Sequence, residues 1–203
     1  MANPSTAPFG LRPVRKMDGT PWNGQTIRCY IASTYATALF IGDPVVFTTT
    51  TADRDTTAKH PSIKIATAGA GNIVRGVITS FEPNPTNLSR QYSPASTEGW
   101  ANVCIATPDI VFQIRDDGGG TPDKNWPTAN AVLGAGSGGS TITGLSSWII
   151  SAATTPANTQ NYQLQIIALA DTPDNELGDY AIWDVLINTS RETAGTFDGT
   201  LGA

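Results

Sequence analysis

The stretch YAIWDVLIN, residues 180–188, decides the fold class. Ala181, Trp183, Val185 and Ile187 fall on one parity, and Tyr180, Ile182, Asp184, Leu186 and Asn188 on the other. Successive side chains of a strand point to opposite faces, so the first set reads as the core face and the second as the outer one. The run contains no glycine or proline and is rich in β-branched and aromatic residues, which favours strand.

Working outward, the same texture recurs in short pieces. Upstream lie YQLQIIALA at 162–170, a short apolar piece at 148–151, and two segments at 110–114 and 100–105 parted by Thr107-Pro108-Asp109. NIVRGVITSF, residues 72–81, is a strand broken at Gly76, where a bulge or close backbone approach is expected. Further strands are expected at 62–67, 45–50 and 25–32, with Gly42-Asp43-Pro44 as a turn. Between them lie polar loops at 51–60, 82–97, 116–127 and 134–141. Residues 116–127 read as a flexible excursion, and 127–133 and 174–179 are the only places suited to a short helix. Many short strands with turns every 8–15 residues predict an all-β chain: an irregular β-barrel or sandwich with long loops and an extended N-terminal arm.

The arm is MANPSTAPFGLRPVR, residues 1–15. Pro4, Pro8 and Pro13 forbid a helix, and the segment does not alternate like a strand. Its apolar residues Phe9, Leu11 and Val14, with Arg12, read as anchors for a neighbouring surface. Leu88 and Tyr92 are the matching anchors in the long loop that follows Phe81. The expected organisation is therefore an arm at 1–24, a β-rich domain at 25–190 and a flexible tail at 191–203.

Composition narrows the function. With 203 residues and 39% hydrophobic content, the chain can bury a core without staples. Charged residues make up only 14%, against roughly 25% in ordinary globular domains. The net charge is -5 with no basic block, which argues against nucleic-acid binding. No apolar run reaches the ~20 residues of a membrane span, and the N-terminus lacks the apolar stretch of a secretion signal, so assembly in a cytoplasm is expected. Cys29 and Cys104 sit in apolar contexts and read as buried thiols, with a single disulfide left open by the sequence.

Catalytic chemistry finds little to work with. His60, the sole histidine, reads as a solvated loop residue, and no nucleophile elbow, phosphate loop or dinucleotide fingerprint occurs. The acidic groups Asp53/Asp55, Asp116/Asp117/Asp123 and Asp171/Asp174/Glu176/Asp179 read as solvated loops. Calcium bridging between subunits is the alternative, and the last group would supply its ligands. Trp22, Trp100, Trp126, Trp148 and Trp183 are either core and interface anchors or the lining of a sugar groove, which would give a weak glycan contact. No cofactor, no catalytic residue and no metal ligand is expected.

Four segments carry a likeness: APFGLRPVRKMDGTPWNG at 7–24; FIGDPV at 40–45; GVITSFEPNPTNLSRQYSPAS at 76–96 with VCIATPDIVFQI at 103–114; and TPDNELGDYAIWDVLIN at 172–188. Together they resemble the capsid decoration, or cement, proteins of tailed bacteriophages. Members often continue the last motif with a histidine, where this chain has Asn188, Thr189 and Ser190. The resemblance implies a β-rich virion protein on the outer face of an icosahedral head, commonly a homotrimer, clamping adjacent capsomers of the major capsid protein, with no enzymatic activity. Another virion component, such as a head-fibre base or tail protein, and a carbohydrate-binding module mounted on the virion are the alternatives.

Overall fold

A computed structural model describes residue 3 and residues 8–85, 87–120, 122–136, 138–151 and 153–188. The tail expected at 191–203 lies outside them, as does most of the arm before Pro8. The chain is all-β. One sheet has the order β1-β7-β12-β11-β8, built from β1 (Arg12–Lys16), β7 (Ile110–Arg115), β12 (Ile182–Ile187), β11 (Leu164–Leu169) and β8 (Asn130–Ala131). The other has the order β2-β6-β5-β3-β4, from β2 (Ile27–Ile31), β6 (Gly99–Ile105), β5 (Gly76–Phe81), β3 (Pro44–Phe47) and β4 (Ile63–Ile65). A hairpin of β9 (Leu133–Gly134) and β10 (Ile149–Ile150) completes the set. All paired strands are antiparallel.

The two sheets share the main core. Phe112, Ile114, Leu164, Ile166, Trp183, Val185 and Ile187 of the first meet Val77 and Cys104 of the second, with Trp126 and Trp148 filling between. The parity read from residues 181–187 holds: Ala181, Trp183, Val185 and Ile187 are all buried. The second sheet also curls around a smaller core of its own. Alternation along β5 and β6 sends Val77 and Cys104 one way and Ile78, Ala101 and Val103 the other, where they meet Cys29, Ile31, Val45 and Ile63. Its edge strands touch at one parallel bridge, Tyr30 to Ser62, where Tyr30 N donates to Pro61 O at 2.9 Å. Neither sheet closes into a barrel.

The expected arm is corrected from Gly10 onward. Leu11 is 1% exposed and lies in the main core, and Arg12–Lys16 forms the edge strand of the first sheet. The pairing jumps from Pro13–Phe112 to Arg15–Val111, so Val14 is the extra residue of a bulge. The bulge hides the strand from a period-2 reading, and it turns Arg12 and Arg15 to the same face. There they complete a polar row across three strands. Arg12 donates through Nε and a terminal nitrogen to Gln113 Oε1, at 3.1 and 2.8 Å; Gln113 donates to Asp184 Oδ1 at 3.0 Å; and Arg15 reaches Asp184 Oδ2 at 3.0 Å. Proline fits here because an edge strand spares one backbone donor.

Just before β1 the chain crosses the 40–45 turn backbone to backbone. Leu11 N donates to Gly42 O at 2.9 Å, and Gly10 and Gly42 both have positive φ, 70° and 94°. A Cβ on Gly42 would collide with the Phe9 carbonyl, and one on Gly10 with the Gly42 carbonyl. Only glycine serves at such a crossing. The FG of the first quoted segment and the IG of the second are therefore two halves of one contact.

Other expectations shift. Residues 127–133 hold a turn and then strand, and 174–179 hold turns, in place of short helices; the single helical piece among the described residues is a 3-10 turn at Thr51–Asp53. Asp116, assigned to a flexible excursion, is wholly buried and is a hub. It accepts from Gly118 N at 2.9 Å, Tyr180 N at 2.7 Å and Trp183 Nε1 at 3.1 Å. Burial pushes its carboxyl upward, and these donors offset part of that.

Candidate functional site

The anchors assigned from sequence separate. Leu11 is core. Arg12 is spent on Gln113 and lies over the Phe9 ring, 4.5 Å from its centroid. Phe9 and Val14 are half-buried in their own domain. Leu88, by contrast, is 76% exposed. Tyr92 is half-buried and stacks on Phe40, with ring centroids 5.3 Å apart and planes 13° from parallel.

Leu88 has a companion that the sequence reading passed over. Ile142 is 90% exposed, the most open large apolar side chain among the described residues. Both stand on turns that their own hydrogen bonds define. Asn87 N donates to Asn84 O at 3.0 Å beneath Leu88. Beneath Ile142, Ser140 Oγ accepts from the backbone N–H of Ile142 and Thr143, and Ser140 N donates to Leu145 O at 2.8 Å. The two turns hang from one segment. Leu39 bridges Ser93, and Ile41 bridges Leu145. Phe40, between them, packs against Tyr92 on one loop and Gly139 on the other, and Gly144 lies against Gln91. Two apolar tips thus project from one braced end of the molecule. Ile142 gave no sequence signal because STITG has neither alternation nor an apolar neighbour.

Beneath that end, Asp43 is 2% exposed and accepts from Phe40 N at 2.8 Å. Burial raises its carboxyl to about 6, against the ordinary 3.8, while the Ser146 hydroxyl and the Phe40 N–H oppose the rise. Between those two values the native protein holds more protons than the unfolded chain, so stability falls as pH climbs through this window. Asp43→Asn is expected to remove about 3 kcal/mol of that decline. Denaturant melts from pH 4 to 7 check it, and an unchanged slope in the variant overturns the assignment. Asp55 acts with the opposite sign. It accepts from Thr57 N and Oγ1 and from His60 N, which hold its carboxyl down at about 2, so its contribution is present above 3.8 and disappears as pH falls toward 2.

His60 is not a solvated loop residue. Its ring packs T-shaped against Trp100, with centroids 4.9 Å apart, and Nδ1 lies 3.5 Å from Asp55 Oδ2. Trp100 stands directly opposite Tyr30, with ring centroids 5.2 Å apart. The Arg28 guanidinium covers Trp100 at 3.7 Å from its centroid and is held two-pronged by Glu82, at 2.5 and 2.8 Å. Next to this cluster a groove of about 290 Å³ opens under the 82–99 loop.

The tryptophans divide accordingly. Trp126, Trp148 and Trp183 are core, Trp22 packs against the core, and Trp100 alone faces the groove. Cys29 and Cys104 are free thiols in different cores, each pushed up to about 12 by burial, which leaves them as inert packing. Among the described residues no three His, Cys, Asp or Glu side chains converge as a metal site, and Asp171, Asp174, Glu176 and Asp179 are not gathered into one.

Comparison of the chain with protein-family models, with curated proteins and with solved structures gives no match.

Proposed function

We propose that the chain is a structural virion protein that binds the outer face of an icosahedral head and stabilises contacts between capsomers of the major capsid protein. The observation that carries this reading is the braced pair of apolar tips. Leu88 and Ile142 are 76% and 90% exposed, yet each sits on a hydrogen-bonded turn tied to the same core segment. Large apolar side chains held out on rigid supports lose little freedom on docking, so their burial goes largely into affinity. The resemblance of four segments to phage decoration proteins supplies the partner. The chain acts as a homotrimer without catalytic activity, and its many distributed contacts add mass-action stability to the assembled shell. A carbohydrate-binding module carried on the virion is the second reading, favoured by the groove beside Trp100.

Co-sedimentation with heads that lack the protein tests the role of the tips. Leu88→Ser with Ile142→Ser is expected to weaken binding at least about tenfold, since each loses roughly 1.5 kcal/mol or more of apolar burial. The thermal midpoint should be unchanged, because neither side chain packs in the domain. Unchanged binding by the double variant removes the tips from the account.

A further inference from the structure

The groove under the 82–99 loop has a chemistry that the shell-binding tips do not use. Its walls include the aromatic rings of Phe81, Tyr92 and Trp100. The lining also includes Asn84, Arg90 and Glu98, which carry amide, guanidinium and carboxylate groups. Arg90 is half-buried, yet among the described residues no hydrogen bond or ion pair holds its guanidinium. Trp100 is held by Arg28, Tyr30 and His60, so its position in the wall is set before any ligand arrives. Pro83 and Pro85 restrict the loop that roofs the groove.

We propose that this groove is a saccharide-binding site for a neutral mono- or disaccharide. The apolar C–H face of a pyranose ring packs on aromatic side chains, and its vicinal hydroxyls both donate and accept. A carboxylate that only accepts and a guanidinium that only donates serve those two needs. The size agrees: about 290 Å³ lies at the lower end of small-molecule sites, roughly 300–1,000 Å³, which suits one or two sugar rings. Glu82 and Glu98 on the lining disfavour a phosphate or other anion, and the polar lining disfavours a purely apolar ligand. This proposal rests on the second, carbohydrate-binding reading and is independent of the shell-binding one, so its failure leaves the tips untouched.

Saturation-transfer NMR on the full chain, with the methyl glycosides of glucose, galactose and N-acetylglucosamine as probes, tests it. Transfer to the ring protons of at least one glycoside is expected. Arg90→Ala should weaken that binding about tenfold through loss of a charge-assisted hydrogen bond. Its thermal midpoint should change little, because among the described residues no hydrogen bond or ion pair of the fold depends on the guanidinium. Trp100→Phe, which keeps an aromatic wall, should bind more weakly than the native chain but more tightly than Trp100→Ala. No transfer to any of the three glycosides, or transfer undiminished in Arg90→Ala and Trp100→Ala alike, overturns the proposal.

Discussion

Replacing Trp183 by alanine is expected to cost the folded domain about 3–5 kcal/mol. Trp183 is 0% exposed, sits on the core parity of β12 and lies 5.2 Å, centroid to centroid, from Trp126. Its loss opens a cavity between the two sheets. It also removes the indole donor to Asp116 Oδ2, so a buried carboxylate loses one of its partners. Trp183→Phe separates the two effects, since it keeps most of the ring volume and loses only the donor. It should cost clearly less than the alanine variant. Urea melts of both variants measure this, and a cost below about 1 kcal/mol for the alanine variant would place Trp183 outside the cooperative core.

Leu11→Ala is expected to destabilise the domain by about 2–5 kcal/mol, as other buried leucines do. The residue is fully buried beside the Gly10–Gly42 crossing and leads directly into β1. Removing residues 9–16 should do more. It strips the edge strand from β7 and leaves Gln113 and Asp184 without Arg12 and Arg15. A separable attachment arm would behave otherwise: its deletion would leave the melt unchanged and alter only binding. Denaturant melts of Leu11→Ala and of the deletion distinguish the two, and native-like stability in both would restore the arm.

These two sites show what was legible. The strand at 182–187 was readable because it has no bulge: Ala181, just before it, and Trp183, Val185 and Ile187 within it share one buried parity to the end. The strand at Arg12–Lys16 was not, because a bulge at Val14 and a proline at position 13 break the period that identifies a strand. The same segment's anchors were recognised as apolar residues in need of a surface, but that surface is largely the domain's own. Asp116 was misread for a different reason. Asp-Asp-Gly-Gly-Gly has the composition of a solvated turn, and nothing local says that Tyr180, Ala181 and Trp183, more than sixty positions on, supply the donors and backbone that bury it. Leu88 was singled out because it is the lone large aliphatic side chain in a polar loop, and the structure leaves it exposed. Its counterpart Ile142 stands in a loop whose neighbourhood of Phe40, Tyr92 and Gln91 exists only in three dimensions.

The quoted segments fall at contacts that hold the fold together. Phe9-Gly10 and Ile41-Gly42 meet at the backbone crossing, and residues 180–188 form the strand that carries Trp183 and Asp184. These are architectural contacts within the domain. The exposed apolar side chains Leu88 and Ile142 lie instead on the 84–92 and 140–145 turns.

The central claim is location and role, and one measurement addresses both. Cryo-electron microscopy of particles assembled with and without this chain, paired with their thermal rupture, is predicted to show added density in groups of three on the outer face of the head. The same particles should rupture at a higher temperature than undecorated ones. Heads that bind none of the protein, or decorated and bare particles with full genomes that rupture together, would contradict the account.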